Sequence, residues 1–221
     1  MLRAVAVSRE TLEQIVGRDP LPHLEDPSPE IRRLAATASA RLGAVAVEPL
    51  TRALDDPDDN VRAAAVEVLG SLGRPGYEAV WGAREDSSSR VVEAAVTALG
   101  EIGDPEAVPW LIETATAHDE TLVREAAVAA LGAIGDTAAL PVLLEAVRAG
   151  KPQIRRRAIV ALTAFEGPEV ENAFNGARLD RNPMVREVAE MVLGREVPSP
   201  ETQVPSPEKS ADDSSPPTPG R

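Results

Sequence analysis

Histidine is the side chain best suited to acid–base chemistry near neutral pH, and this chain of 221 residues contains only two. His23 follows Pro22, and His118 falls in a predicted turn much farther along the chain. A hydrolytic triad needs a nucleophile within hydrogen-bond reach of an oriented base, and neither histidine has a suitable serine at motif spacing. Cysteine, another common nucleophile and metal ligand, is absent. We therefore predict no catalytic residue, no metal site and no cofactor.

Acidic side chains cluster at residues 55–59 and 85–86. Such clusters can bind Ca²⁺, but neither has the spaced loop ligands and the terminal bidentate glutamate of an EF-hand. Both fall at predicted helix turns, where carboxylates cap helix N-termini. The glycine-rich segments 70–76 and 100–103 lack the Gly-Lys-Ser/Thr of a phosphate-binding loop, so we interpret them as helix ends. The sequence thus favours structural roles for all of these residues.

The dominant pattern of the chain is a repeat. An aliphatic residue followed by Arg, two small or aliphatic positions and Ala returns every 30 to 32 residues, and one copy has Val92 in place of Arg. A fixed period of this length indicates a stack of similar units that bury their apolar faces against one another. The copies that keep the arginine are at Arg32, Arg62, Arg124, Arg155 and Arg186.

Each unit is predicted to contain two antiparallel helices. The segment 103–106, Gly-Asp-Pro-Glu, ends one helix and begins the next. After the capping position Asp58, the residues Val61, Ala65, Val68 and Leu69 share one helical face and are predicted to be buried. The turn inside each unit places equivalent helix caps at Ser28, Asp58, Ser88, Glu120, Lys151 and Asn182.

Two phrases in these repeats are specific for a repeat family. Asp56-Pro57 to Ala65 and Gly103 to Pro109 resemble the HEAT-like repeat of the phycobilisome lyases, and the resemblance covers roughly residues 21–197. It implies an all-α, right-handed α-solenoid of about five to six HEAT-like helix pairs, with the second helices on the concave face. It also implies an N-terminal capping helix within residues 1–20. Residues 198–221 are rich in Pro and Ser, and we predict a disordered tail there.

The resemblance further implies a structural ladder of carboxylates and guanidiniums that bridge adjacent units. The pattern is interrupted, because Asp86 precedes Val92, His118 stands where Asp is usual before Arg124, and Ala149 precedes Arg155. The predicted members are Asp26, Arg32, Asp56, Arg62, Arg124, Arg155, Asp180 and Arg186.

The second helices are predicted to leave a ridge free for a partner. Its charge changes from basic to acidic and back to basic, which suits a partner of complementary charge. Trp110 could add an exposed aromatic anchor or pack over the next unit, whereas Trp81 is predicted to be buried. The candidate ridge residues are Arg33, Arg41, Ala63, Glu67, Glu93, Thr97, Glu101, Glu125 and Arg156.

The net charge of −13 argues against general binding of nucleic acid or anionic membranes. No stretch approaches the roughly 18 apolar residues of a membrane span, and we expect a cytoplasmic protein. The monomer is the expected state, with weak self-association through the C-terminal end of the array near residues 192–194 as the alternative.

We predict a non-enzymatic scaffold that binds a protein or peptide on its concave face. The resemblance leaves open a bilin or tetrapyrrole lyase-type subunit that acts on a partner protein. A HEAT-like DNA glycosylase is a third reading, but such proteins resemble basic clefts, and this chain is acidic.

Overall fold

The computed structural model describes residues 19–194, and these form helices and turns without a β-strand. Most of the predicted capping helix, and the whole of the predicted tail at 198–221, lie outside the described residues. Short 3₁₀ segments, beginning with Leu21–Glu25, connect or extend the longer helices. The α-helices are α1 (Pro29–Ala38), α2 (Val47–Arg52), α3 (Asp59–Ser71), α4 (Tyr77–Ala83), α5 (Ser89–Ile102), α6 (Val108–Ala117), α7 (Thr121–Ile134), α8 (Leu140–Ala149), α9 (Pro152–Ala161), α10 (Pro168–Ala177) and α11 (Pro183–Val192).

These helices form an α-solenoid of six units, which confirms the predicted fold class. In unit 1 the first helix is the 3₁₀ segment Leu21–Glu25, and α1 is the second. Units 2 to 6 are the pairs α2/α3, α4/α5, α6/α7, α8/α9 and α10/α11. The second helices α1, α3, α5, α7, α9 and α11 form a continuous layer in which each packs against the next.

The predicted caps mark where the second helices begin, and two of them cap through their side chains. All six predicted caps are the N-cap residues of their helices. Asp58 accepts hydrogen bonds from the backbone N–H groups of Asn60 and Val61, and Asn182 accepts one from Met184. These bonds satisfy helix N–H groups that have no partner within the helix. At the other end, Gly103 and Gly135 end α5 and α7 in the left-handed conformation that glycine adopts without strain.

The core is a line of leucines surrounded by alanine and valine. Val61, Ala65, Val68 and Leu69 are buried as predicted. Ala63, which we predicted on the free ridge, is instead 5% exposed, because α3 lies between α1 and α5 and both cover its sides. The fully buried leucines are Leu50, Leu69, Leu99, Leu111, Leu131, Leu143 and Leu162.

Three glycines of the second-helix layer lie inside helices, and for Gly70 and Gly100 this corrects the interpretation of their segments as helix ends. Gly70, Gly100 and Gly132 each face an alanine of the next second helix. A Cβ at Gly100 would lie 2.7 Å from Cα of Ala130, and a Cβ at Gly132 would lie 2.5 Å from Cβ of Ala161. These glycines therefore set the close spacing of α3, α5, α7 and α9.

Candidate functional site

The recurring spacing of arginine and aspartate along the chain produces a ladder of ion pairs between units. Arg62 in α3 donates from Nε and Nη2 to the two carboxylate oxygens of Asp86 in the next unit, at 2.8 and 2.9 Å. Its Nη1 donates to the backbone carbonyl of Asp56 in its own unit, at 2.8 Å. Asp86 also accepts from the backbone N–H of Ser88 at 2.8 Å, which fixes the turn before α5. One guanidinium thus joins two consecutive turns with bidentate geometry.

The same arrangement occurs at two other unit boundaries. Arg32 binds Asp56 at 2.6 and 2.8 Å, and Arg155 binds Asp180 at 2.8 and 2.7 Å. At the start of the array, the carboxylate of Asp26 accepts from the backbone N–H of Ser28 at 2.8 Å. At its end, Arg186 donates to the backbone carbonyl of Asp180 at 2.8 Å.

The ladder bridges adjacent units as the resemblance implied, and each arginine pairs with the aspartate of the following unit and not with the one six positions before it. Aspartate and arginine six positions apart do not form an ion pair, because the arginine contacts only the backbone carbonyl of that aspartate. The carboxylate that it binds belongs to the following unit. Asp86 was therefore omitted wrongly from the predicted members. Its position, six residues before Val92 in the repeat, was the available signal.

Two adjacent boundaries lack the ladder ion pair within the described residues, although the exposed pairs Arg74–Asp104 and Arg157–Glu125 cross them. Between units 3 and 4 both partners are replaced, since Val92 occupies the arginine position and His118 the aspartate position. His118 retains the capping role, because its Nδ1 accepts from the backbone N–H of Glu120 at 3.1 Å. Between units 4 and 5 Arg124 is present, but no carboxylate of the next unit reaches it.

The ion pairs make the free energy of unfolding of the array depend on pH. Hydrogen bonds from Arg62 lower the pKa of Asp86, and hydrogen bonds from Arg155 lower the pKa of Asp180 in the same way. A carboxylate whose pKa is lower in the folded state contributes stability above its unfolded pKa of about 3.9, and this contribution is lost as pH falls through the folded value.

We expect the free energy of unfolding in urea to fall steeply below about pH 4, where the unfolded chain binds more protons than the folded chain. Asp86→Asn removes one such group and should give a shallower fall over the same pH range. An equal slope in wild type and variant would show that Asp86 does not contribute. Asp19, for which no ladder contact exists, supplies the matched Asp→Asn control.

An acidic groove lies on the second-helix layer. It has a volume of about 600 Å³ and runs between α3 and α5, with the carboxylates of Glu67, Glu93 and Glu101 along its sides. Thr97 lies between these glutamates, and Arg90, which the sequence analysis did not select, contributes a cation at one end. We call this site the acidic groove.

The other predicted ridge residues lie on the same layer at both ends of the groove. Arg33 and Arg41 are exposed in unit 1. Glu125 in α7 lies 3.4 Å from Arg157 in α9 and forms an exposed ion pair between units. Arg156 is half-buried, and its Nε has no hydrogen-bond partner among the described residues. The glutamates of the acidic groove are therefore free of ion pairs with other described residues, whereas Glu125 farther along the ridge is paired with Arg157.

The aromatic residues form a cluster on the first helices. Trp110 of α6 contacts Trp81 of α4 edge to face, with ring centroids 6.1 Å apart, and Trp81 stacks on Tyr77. Trp81 is half-buried, not buried as predicted, and the guanidinium of Arg84 covers its ring at 4.4 Å. Trp110 thus follows the packing alternative, and its ring supports the contact between units 3 and 4.

Among residues 19–194, no group of three or more His, Asp or Glu side chains is placed to hold a metal ion. His23 lies half-buried in the first 3₁₀ segment, far along the stack from His118. In the same range, the helices are too short or too polar to cross a membrane.

Comparison with solved structures gives a set of helical relatives. The complex of CpcE and CpcF of phycocyanin lyase from Nostoc sp. PCC7120 matches with a TM-score of 0.58 and 21% identity, over 68% of this chain and 99% of that chain. The Escherichia coli protein YibA matches with a TM-score of 0.61 and 19% identity, over 87% of this chain and 76% of that chain. An engineered protein matches with a TM-score of 0.54 and 20% identity, over 82% and 96% of the two chains.

At these identities the structural matches establish the fold and nothing about activity. No curated protein sequence matches the chain. The sequence model of HEAT repeats matches residues 19–80 and 78–163, which together exceed half of the chain and include most of the ladder. The chain therefore belongs to the family of HEAT-repeat proteins, as the Asp-Pro and Val-Arg phrases of its units predicted.

Proposed function

We propose that this protein is a non-enzymatic scaffold that binds a basic segment of a partner protein or peptide along the second-helix layer. The acidic groove carries this proposal, because three glutamates from two consecutive units line one continuous surface. The resemblance to HEAT-like arrays implies that these second helices line a concave face, which supports this proposal. Extended curved surfaces of this kind suit long peptide segments better than small molecules.

The surrounding charges support a basic ligand. Glu67 and Glu101 are exposed, and neither forms an ion pair with another described residue. A lysine or arginine of a partner can therefore neutralise them. Charge complementarity of this kind increases the association rate and excludes acidic partners. Among the structural relatives, CpcE and CpcF form a complex of two protein chains, which is consistent with partner binding by this type of array.

Charge reversal in the groove tests the proposal. We expect the triple variant Glu67→Lys, Glu93→Lys, Glu101→Lys to lose a partner that wild type captures from native lysate, and to bind the purified partner at least about tenfold more weakly. The matched control reverses Glu78, Glu113 and Glu171, which are exposed on first helices. Isothermal titration at two salt concentrations should show weaker binding at higher salt for wild type.

An equal loss of binding in both triple variants would show that net charge, and not the acidic groove, determines binding. Retention of the partner by both variants would place the site elsewhere on the array. Circular dichroism of each variant verifies that the helical fold is intact.

A lyase-type subunit is the second candidate function, and it rests on the likeness of fold to the phycocyanin lyase complex. This candidate requires that the protein carry or transfer a tetrapyrrole to a partner protein. Visible absorbance of the purified protein, or a pigment-bearing partner in the captured material, would favour it over the scaffold. If the purified protein carries no chromophore and the captured material contains no pigmented partner, the scaffold is favoured.

A further inference from the structure

Arg124 is the one ladder arginine that lies at a unit boundary of the described array without a carboxylate. Its Nη2 donates to Oγ1 of Thr121 at 3.2 Å, and its buried Nε has no hydrogen-bond partner among the described residues. Nζ of Lys151 donates to the same Thr121 oxygen at 2.9 Å. Two cations therefore converge on a single neutral hydroxyl, where the other three boundaries with an arginine have an aspartate. Such a site favours an anion.

The turn of unit 5 explains why the chain itself does not provide this anion. Gly150 occupies the aspartate position, because its extended backbone follows α8 and its carbonyl accepts from Arg155 at 2.8 Å. The sequence alignment that placed Ala149 there was wrong, since this turn is one residue shorter than the others. A Cβ at Gly150 would lie 2.6 Å from the carbonyl oxygen of Ala146. An aspartate at that position would therefore clash with α8.

A groove of about 350 Å³ lies beside Arg124, between the ends of α6 and α8. Its lining is largely aliphatic, and Lys151 stands at one side. The one carboxylate in the lining, that of Glu145, is held by two hydrogen bonds of 2.8 Å from Arg148 on the same helix. The aliphatic lining residues are Ala115, Val128, Val142, Ala146, Ala149 and Ile154.

We propose that this groove binds an acidic side chain, Asp or Glu, of a partner protein, with a neighbouring aliphatic side chain of that partner against the apolar lining. The partner carboxylate would accept hydrogen bonds from Nε of Arg124 and from Lys151, as Asp86 does from Arg62 in the intact ladder. This site is separate from the acidic groove, because it lies at the turn inside the unit and selects the opposite charge. The boundary at Val92 and His118 offers no such site, since it has lost the cation as well.

Short peptides test the proposal in the full-length protein. The probe is the capped peptide acetyl-Ala-Leu-Asp-Leu-Ala-amide, and the readout is the Nε–H resonance of Arg124, assigned from its loss in Arg124→Lys. The Asp peptide should shift this resonance saturably and bind at least about tenfold more tightly than the same peptide with Asn in place of Asp. The Nε–H resonance of Arg62, which is already paired, should stay in place and serves as the internal control.

A blocking variant tests the same site without removing the arginine. Ala149 is exposed and lines the groove, so Ala149→Asp places a carboxylate inside it. This variant should weaken binding of the Asp peptide at least about tenfold, and the isosteric Ala149→Asn should weaken it less.

Equal binding of the Asp and Asn peptides, or an unchanged affinity in Ala149→Asp, would overturn the proposal. A peptide with uncharged side chains and a free C-terminal carboxylate is a further probe. If it binds more tightly than the Asp peptide, the assignment to an acidic side chain is overturned. If inorganic phosphate shifts the Arg124 resonance as much as the Asp peptide does, the site binds anions in general, and the proposal of a protein side chain is overturned.

Discussion

Replacement of Asp180 by alanine is expected to lower the free energy of unfolding by about 3 to 5 kcal/mol. The reason is the partner that remains. Arg155 is 3% exposed, and without Asp180 its guanidinium keeps only the hydrogen bond to the carbonyl of Gly150. A buried charge without a counter-charge is costly, whereas loss of the whole pair is tolerated far better. Urea unfolding at neutral pH, followed by far-UV circular dichroism, measures the loss.

The double variant Arg155→Met, Asp180→Ala separates the two effects. We expect it to be more stable than Asp180→Ala alone, because methionine fills the buried volume without a charge. Glu48→Ala is the matched control, since it removes a carboxylate from the exposed pair with Arg52 and should cost less than about 1 kcal/mol. If single and double variants are equally unstable, the unpaired guanidinium is not the source of the loss.

Replacement of Gly100 by alanine is expected to lower the free energy of unfolding by about 1 to 3 kcal/mol, although alanine is the better helix former. The added Cβ would lie 2.7 Å from the backbone of Ala130, so α5 and α7 must move apart. Such a shift opens the packing of a core that is otherwise close-packed. Thermal and urea unfolding of the variant both measure this loss.

Gly82→Ala is the matched control for this prediction. Gly82 lies inside α4, and a Cβ there would meet no atom within 4 Å. The substitution should stabilise the protein by about 0.4 to 1 kcal/mol, because it restricts the unfolded chain without a clash. Destabilisation by both substitutions would contradict the idea that close helix approach is what requires Gly100.

The repeat made the fold predictable from the sequence because period, caps and helical faces all indicate the same unit. Asp58 shows this well, since a short polar residue followed by a helical apolar stripe specifies both where α3 begins and which face it buries. These signals are local, and each unit repeats them. The position of each second helix therefore followed from the sequence, which also limited the number of units to five or six.

Contacts between units were harder to predict because they depend on the spacing of neighbouring helices. The resemblance implied a ladder between adjacent units, but only the fold shows that Arg62 pairs with Asp86 of the next unit. A deletion of one residue moved Gly150 into the position that the alignment gave to Ala149. Gly100 lies in a helix, and only the distance to Ala130 explains why it is glycine. The acidic groove also arises from two units together, which no single repeat displays.

The distribution of ion pairs divides the array into segments of unequal stiffness. Arg32–Asp56 and Arg62–Asp86 tie units 1 to 3 together, and Arg155–Asp180 ties unit 5 to unit 6. Unit 4 lacks these bidentate ladder pairs on both sides, and its ion pairs to the neighbouring units, Arg74–Asp104 and Arg157–Glu125, each use an exposed arginine beside the apolar packing. Apolar contacts are less directional than bidentate ion pairs, so they tolerate small rotations between helices. Unit 4 is therefore the joint about which the curvature of the solenoid can adjust, and a ligand that bridges the Arg124 boundary would stiffen that joint.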